Sequence, residues 1–338
     1  MISQRRYLVT GGTGFIGSAL VHRLLALGAQ VRVLDDDSRG SPRRLAEVLD
    51  RVEIIRGDVR DAQVVRAAAR GVDVLCHLAF VNGTQFFYEK PELVLDVGVK
   101  GMVNVLDACA THGIRRFILA SSSEVYQTPP VIPTPEDVPL VVPDATNPRY
   151  SYGAGKLISE VMAINYGRRL FDSLYIFRPH NVFGPDMGWE HVIPQFALRM
   201  AKAAPEQATG TLPFPIQGSG DETRAFLYID DFVEAWVTML SGPAGIYHIG
   251  TEEERTVRSV AEAVAQVFGR TVEVQAGGLT PGSTRRRCPD ISKLRALGFA
   301  PRTPFVQGLT RTVRWYAEHA SLAPLRDQGE DRTFHEQS

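Results

Sequence analysis

Short apolar runs alternate with amphipathic stretches through the first half of the chain. Residues 6–10 (RYLVT), 30–35 (QVRVLD), 52–58 (VEIIRGD), 72–79 (VDVLCHLA), 116–122 (RFILASS) and 174–179 (LYIFRP) are compact and rich in β-branched residues. Each is bounded by Gly or Asp, the pattern of buried strands. Between them the apolar positions recur at helical spacing, as at Ile16, Leu20, Leu24 and Leu27. Strands separated by helices predict right-handed βαβ units and a parallel sheet covered on both faces. The class is therefore α/β, a doubly wound parallel sheet. Ligands of such sheets sit at the carboxyl ends of the strands, so polar residues there carry weight.

Beyond Pro179 the alternation stops. Residues 205–220 are rich in Pro and Gly and read as loops with a short strand, while helical patterns return at 230–241 and 256–268. A last helix is expected to place Val306, Leu309, Val313 and Tyr316 on one face. The predicted organisation is a first domain over 1–180, a smaller mixed α/β substrate-binding region over 181–322, and a polar, disordered tail over 323–338. No internal repeat is present.

Composition narrows the function. The chain has 338 residues, of which 44% are hydrophobic, enough for a full core. A net charge of -1 gives no general attraction to nucleic acid or to an anionic membrane. Cys76, Cys109 and Cys288 lie far apart without CxxC spacing. They are expected to be reduced thiols, neither a disulfide frame nor a metal site. With no apolar run able to span a bilayer, the expectation is a soluble cytoplasmic protein.

Chemistry enters at YLVTGGTGFIGSALVHRLL, a strand, a glycine-rich turn and a helix start. Gly11 permits the tight turn, Gly14 lets a pyrophosphate approach the backbone, and Gly17 lets helix and strand pack closely. The pyrophosphate of a dinucleotide then meets the positive helix end. The second strand finishes in Asp35, which suits the ribose hydroxyls of an adenosine and repels a 2′-phosphate, favouring NAD over NADP. Asp36 or Asp37 can share that task, or be a solvated loop. Asp58, ending the third strand, can reach the adenine amino group or simply cap a turn.

Further along, Tyr152 and Lys156 stand four residues apart, on one face of a helix. An ammonium there is expected to pull the tyrosine pKa down and make Tyr152 a general base.

Several ordered motifs together resemble the extended short-chain dehydrogenase/reductase family, specifically its NAD-dependent nucleotide-sugar epimerases, dehydratases and decarboxylases. They are TGGTGFIG, HLA at 77–79, SSSEVY, YGAGK, RPHNVFGP at 178–185, RAFLYIDDF at 224–232 and RCPDISK at 287–293. The resemblance covers roughly residues 5–318 and implies a Rossmann fold with NAD as cofactor and no metal. It implies that Ser122 bonds the reacting sugar oxygen, that Tyr152 is the base, and that Lys156 also holds the nicotinamide ribose. Around the cofactor it adds Phe15, Ile16, Val59, Leu78, Ala79 and Pro179. For the substrate, Asn181 and Arg224 match residues gripping the diphosphate, Arg287 a second phosphate or sugar contact, and Phe214 and Ile216 the strand beside the nucleotide base. Ser123 is a further substrate candidate. The family also implies a homodimer through helices near 92–112 and 152–169, with Leu157, Val161 and Ile164 as contacts.

There are departures. Gly98 stands where the family usually has Asn, Met102 replaces a Thr, Phe80 follows HLA where a small residue is common, and His180 follows Pro179. His180 can face the nicotinamide pocket or be a packed residue. Glu124 bears on the reaction. The resembling 4-epimerases carry Thr or Ser there, whereas dehydratases and decarboxylases tend to carry Glu. A carboxylate can remove a C5 proton acidified by a 4-ketone, or it can pair with a neighbouring Arg. The reading leans to oxidation at C4 followed by dehydratase-type elimination, with 4-epimerisation next and uronate decarboxylation after it. A sugar carboxylate bound by Arg224 or Arg287 fits the last. An NADPH-dependent ketone reductase is disfavoured by Asp35 and by the Asn181/Arg224 pair, and a non-catalytic NAD sensor by the complete Ser–Tyr–Lys set.

Overall fold

A computed structural model describes residues 2–203, 211–278 and 282–323. Seven strands form one sheet: β1 (Arg6–Thr10), β2 (Gln30–Asp35), β3 (Val52–Arg56), β4 (Val74–His77), β5 (Arg116–Ala120), β6 (Ser173–Pro179) and β7 (Gly245–Ile249). Their order is β7-β6-β5-β4-β1-β2-β3, and every neighbouring pair is parallel. The order reverses between β1 and β4, the switch point that opens a crevice in doubly wound folds.

The alternation of side chains builds two cores. Val9, Val33, Cys76, Ile118 and Phe177 face one side with Leu20 and Leu24 of α1 (Phe15–Ala26). Leu8, Leu34, Leu75, Phe117 and Ile176 face the other. There they meet α2 (Ala62–Ala68), α3 (Gly101–His112) and α4 (Ser151–Leu170). Both faces being covered explains why the strands are apolar throughout rather than half polar. Cys76, Cys109 and Cys288 are buried and unpaired.

The second region is built from small sheets and helices, the longer ones being α5 (Val192–Ala203), α6 (Ile229–Ser241), α7 (Val257–Val267) and α8 (Phe305–Glu318). A three-stranded sheet joins Glu254–Thr256, Thr223–Ala225 and Arg286–Arg287, bringing Arg224 and Arg287 into register on adjacent strands. Two expectations change here. The chain returns to the large sheet through β7, so a boundary at residue 180 does not divide the architecture. Val306, expected in the buried stripe of α8, is 61% exposed, and Phe305 takes its place beside Leu309, Val313 and Tyr316. The helix starts at Phe305, so Val306 points a hundred degrees away from the buried side. The tail beyond residue 323 lies outside the described residues.

Candidate active site

One cleft of about 420 Å³ runs along the carboxyl ends of the strands. Its cofactor end is shaped by glycines. Gly11 has φ +73°, and a Cβ there would lie 2.7 Å from the Ala79 amide nitrogen. A Cβ on Gly17 would collide with the Gly11 carbonyl, so α1 packs on β1 only if residue 17 is glycine. Gly14 is the N-cap of α1 and offers no side chain to cap it, which leaves the positive helix end to an anion.

Asp35 is buried, and its two oxygens accept from the amides of Thr13 at 2.9 Å and Asp37 at 3.0 Å. Burial moves its carboxyl upward against those bonds. Asp36 accepts from the Ser38 amide at 2.9 Å and hydroxyl at 2.6 Å. Asp58 is paired with Arg60 at 2.5 Å, which holds its carboxyl below the usual range. Phe15, Ile16, Val59, Leu78, Ala79 and Pro179 line the same cleft. Asp35, Asp36, Asp58 and the apolar side chains expected around a dinucleotide therefore converge on one trough, beside a turn whose glycines are required by close backbone packing.

At the other end, Ser122 caps a single 3-10 turn, its hydroxyl accepting from the Glu124 amide at 3.1 Å. The same hydroxyl favours the ionised form of the Tyr152 phenol. The Tyr152 ring is stacked on Phe87 at 4.9 Å and met edge-on by Phe80 at 5.2 Å. Lys156 is buried and donates to the Ala120 carbonyl at 2.7 Å.

The expected lowering of the tyrosine pKa is reversed here. Burial raises Tyr152 above its ordinary value, more than Ser122 and Arg287 lower it. The Lys156 ammonium is 5.9 Å from the tyrosine ring centroid, and burial pulls it down to about 7. Two buried groups that both lose water at the same spot favour their neutral forms.

Glu124 makes the contact that matters most for the reaction. Its carboxylate accepts from Arg287 Nη1 at 2.7 Å, with Arg149 4.0 Å away. Burial works to raise its pKa, but Arg287, Arg149 and Arg224 lower it further, so Glu124 is ionised. Ser121 has a different duty: it donates to Glu160, which forms a buried bidentate pair with Arg178 at 2.8 and 2.6 Å. Arg178 also bonds the Tyr126 hydroxyl, which meets His248 Nε2 at 2.6 Å. This network fastens the end of β5 to α4, β6 and β7, and so fixes the turn that carries Ser122.

Of the substrate candidates, Ser122, Ser123, Glu124, Asn181 and Arg287 line the cleft. Arg224 stands behind Arg287, donating to the carbonyls of Thr223 and Thr284 at 2.7 Å each. Phe214 and Ile216 do not reach the cleft. Both are buried, with Phe214 against Phe196 at 5.2 Å and under Arg199 at 4.1 Å. Alternation along β-strand 211–215 sends Phe214 to the core. His180 is buried with its ring 4.8 Å from His248 and does not line the cleft.

Three features were invisible in the pattern. Arg149 flanks Glu124, Phe87 stacks on Tyr152, and Arg39 bridges to Glu190 at 3.1 Å while covering the Phe86 ring at 4.6 Å. They come from loops and short helices without motif spacing. Among the described residues, no cluster of metal-ligating side chains is found.

Fold and cleft together define a dinucleotide-dependent α/β enzyme with a Ser–Tyr–Lys set. A model of the NAD dependent epimerase/dehydratase family matches residues 7–250, and the chain belongs to that family. A UDP-glucose 4-epimerase of Mycolicibacterium smegmatis is 34% identical over 320 residues, 92% of this chain and 98% of that protein. A UDP-N-acetyl-alpha-D-glucosaminuronate decarboxylase of Bacillus cytotoxicus is 30% identical, covering 93% of this chain and 98% of the relative. Among solved structures, the Thermus thermophilus UDP-glucose 4-epimerase in complex with NAD superposes with a TM-score of 0.80 at 31% identity, over 92% of this chain and 98% of that one. DesIV, a dTDP-glucose 4,6-dehydratase of Streptomyces venezuelae with NAD bound, gives 0.81 at 32% identity, over 94% and 98%. The chain is thus an NAD-dependent enzyme of the nucleotide-sugar epimerase, dehydratase and decarboxylase family.

Proposed function

We propose that this enzyme oxidises a nucleotide-diphosphate sugar at C4 and then removes the C5 proton, leading to elimination. Bound NAD supplies the hydride acceptor at C4. Acting as its phenolate, which Ser122 and Arg287 favour against burial, Tyr152 takes the C4 hydroxyl proton, and Ser122 donates to the oxygen as it becomes a ketone. The observation that carries the second step is Glu124, an ionised carboxylate in the cleft that holds Ser122 and Tyr152. The new ketone acidifies C5–H, and Glu124 is the base that takes it while the C6 hydroxyl leaves as water; the C5–C6 double bond so formed then accepts the stored hydride at C6 and a proton at C5. Its pairing with Arg287 keeps it charged but lowers its basicity, so the abstraction follows Arg287 turning to an anionic group of the substrate.

A second reading follows from the surplus of charge. Arg149, Arg224 and Arg287 surround the one carboxylate of Glu124, which suits a sugar bearing a carboxylate of its own. Oxidation at C4 of such a uronate makes a β-keto acid, and CO2 leaves without a C5 base.

Nucleotide sugars of both kinds, incubated in deuterated water and followed by NMR, separate the readings. Deuterium at C5 with loss of water supports elimination, and CO2 release from a uronate supports the second reading. Inverted C4 without deuterium makes the enzyme a 4-epimerase, and no turnover of any nucleotide sugar refutes the proposal. Assembly as a homodimer is supported by exposed apolar side chains on the helices expected at its interface, Val103 on α3 and Ile158, Val161 and Tyr166 on α4. Three buried free thiols suit the reducing cytoplasm.

A further inference from the structure

Phe80 and Gly98 depart from the family pattern at separate places in the sequence and meet in space. The Phe80 ring is wedged between two glycines. A Cβ on Gly98 would lie inside van der Waals contact with ring atoms Cζ and Cε2, and one on Gly155 would be 2.9 Å from Cζ. Gly98 belongs to a π-helical turn, Asp96–Lys100, where the helix is widened, a local feature often found at functional sites. Lys156 Nζ stands 4.1 Å from the Phe80 ring centroid, and Tyr152 meets the ring at 84°.

We propose that Phe80 is a positioning residue for the Tyr152–Lys156 pair, its ring occupying the room left at Gly98 and holding the lysine by its face and the tyrosine by its edge. A ring face attracts an ammonium most strongly where water is excluded, and Lys156 is 3% exposed. A ring edge is complementary to a second aromatic face. Phe87 stacks on Tyr152 at 4.9 Å, so the phenol ring is packed by two aromatic neighbours. The Ala120 carbonyl takes one Lys156 donor. The Lys156 donors turned neither to Ala120 nor to the ring suit a ribose hydroxyl. The charged and titratable groups bearing on the pair are Glu160 and His77 for Lys156, and Glu124 and Arg287 for Tyr152.

The inference rests on the Tyr–Lys chemistry proposed above but not on the identity of the sugar, so its test uses NAD+ alone. Isothermal titration gives NAD+ affinity. Absorbance at 295 nm against a Tyr152→Phe background gives the midpoint of Tyr152 ionisation in the NAD+-loaded protein. Phe80→Leu keeps the bulk and loses the face. It is expected to weaken NAD+ roughly five- to thirtyfold and raise the Tyr152 midpoint by about half a pH unit or more. Gly98→Ala, which displaces the ring, moves both readouts in the same direction even where Phe80→Leu fails to fold. Phe80→Ala combined with Gly98→Asn recovers NAD+ affinity relative to Phe80→Ala, because a polar side chain again fills the space. Wild-type affinity and midpoint in Phe80→Leu or Gly98→Ala, or no recovery in the double variant, overturns the inference.

Discussion

At the scale of single residues, the site separates groups that act from groups that hold. Tyr152→Phe removes the oxygen that takes the sugar proton while leaving the ring between Phe80 and Phe87. Turnover is expected to fall by about 10²- to 10⁴-fold, with NAD+ affinity kept within a few-fold in a binding titration. Turnover near wild type would exclude Tyr152 as the base. Glu124 has a stability signature as well. Its folded-state pKa is depressed by Arg287, so its contribution is present above the unfolded carboxyl value of 4.5 and is lost as pH falls through the folded one. Urea unfolding of Glu124→Gln should therefore show a smaller loss of stability below about pH 4.5 than the parent chain; identical acid slopes would contradict the ion pair. The residue types at these positions were legible, because a Tyr and a Lys four apart share a helix face whatever surrounds them. Their charge states were not. Whether an ammonium or burial decides the tyrosine pKa depends on distances and water exclusion set by β4, β5 and the loops, and here burial wins.

Elements show why the cofactor end was easier to read. The turn from β1 into α1 is short, and its glycine requirements are local, so Gly11, Gly14 and Gly17 announce it in the sequence. Gly17→Ala would drive a methyl into the Gly11 carbonyl. The helix must then move off the strand, at a cost of about 1–3 kcal/mol for such overpacking. A lower thermal midpoint and a weakened NAD+ titration are the expected outcome; unchanged NAD+ binding would show that the turn does not carry the pyrophosphate. The substrate end is assembled from segments far apart. Glu124 and Arg287 are separated by 163 positions, and no spacing rule connects them. Phe214 and Ile216 show the opposite failure, since a motif-like strand was recognised but its pleat turned both side chains into the core.

Across the whole molecule, buried histidines set the response to acid. His77 is pulled down to about 3, His248 to about 4, and His180 well below its ordinary value, each chiefly by burial. A depressed histidine contributes its full stability above the unfolded value of 6.5 and loses it as pH falls toward the folded value. Between pH 6.5 and about 4 each neutral histidine should cost on the order of 1 kcal/mol per pH unit. The thermal midpoint is expected to fall steadily as pH drops below 6.5; a midpoint constant from pH 6.5 down to pH 5 would refute this. Val161→Arg places a charge on the exposed apolar face of α4 and should convert a dimer to monomers in light scattering, with the monomer's cleft intact. A wild-type monomer would remove that interface.

The strand and helix periods, the glycine turn, Asp35 and the Tyr–Lys spacing were settled by the sequence alone, because each depends on steric and hydrogen-bonding demands within a few residues or one βαβ unit. Tertiary structure alone decided that Glu124 is clamped by Arg287, that Phe80 fills the space beside Gly98, that burial opposes ionisation of Tyr152, and that β7 returns to the main sheet. Those outcomes depend on which distant side chains exclude water from one another, and no local period in the chain encodes that.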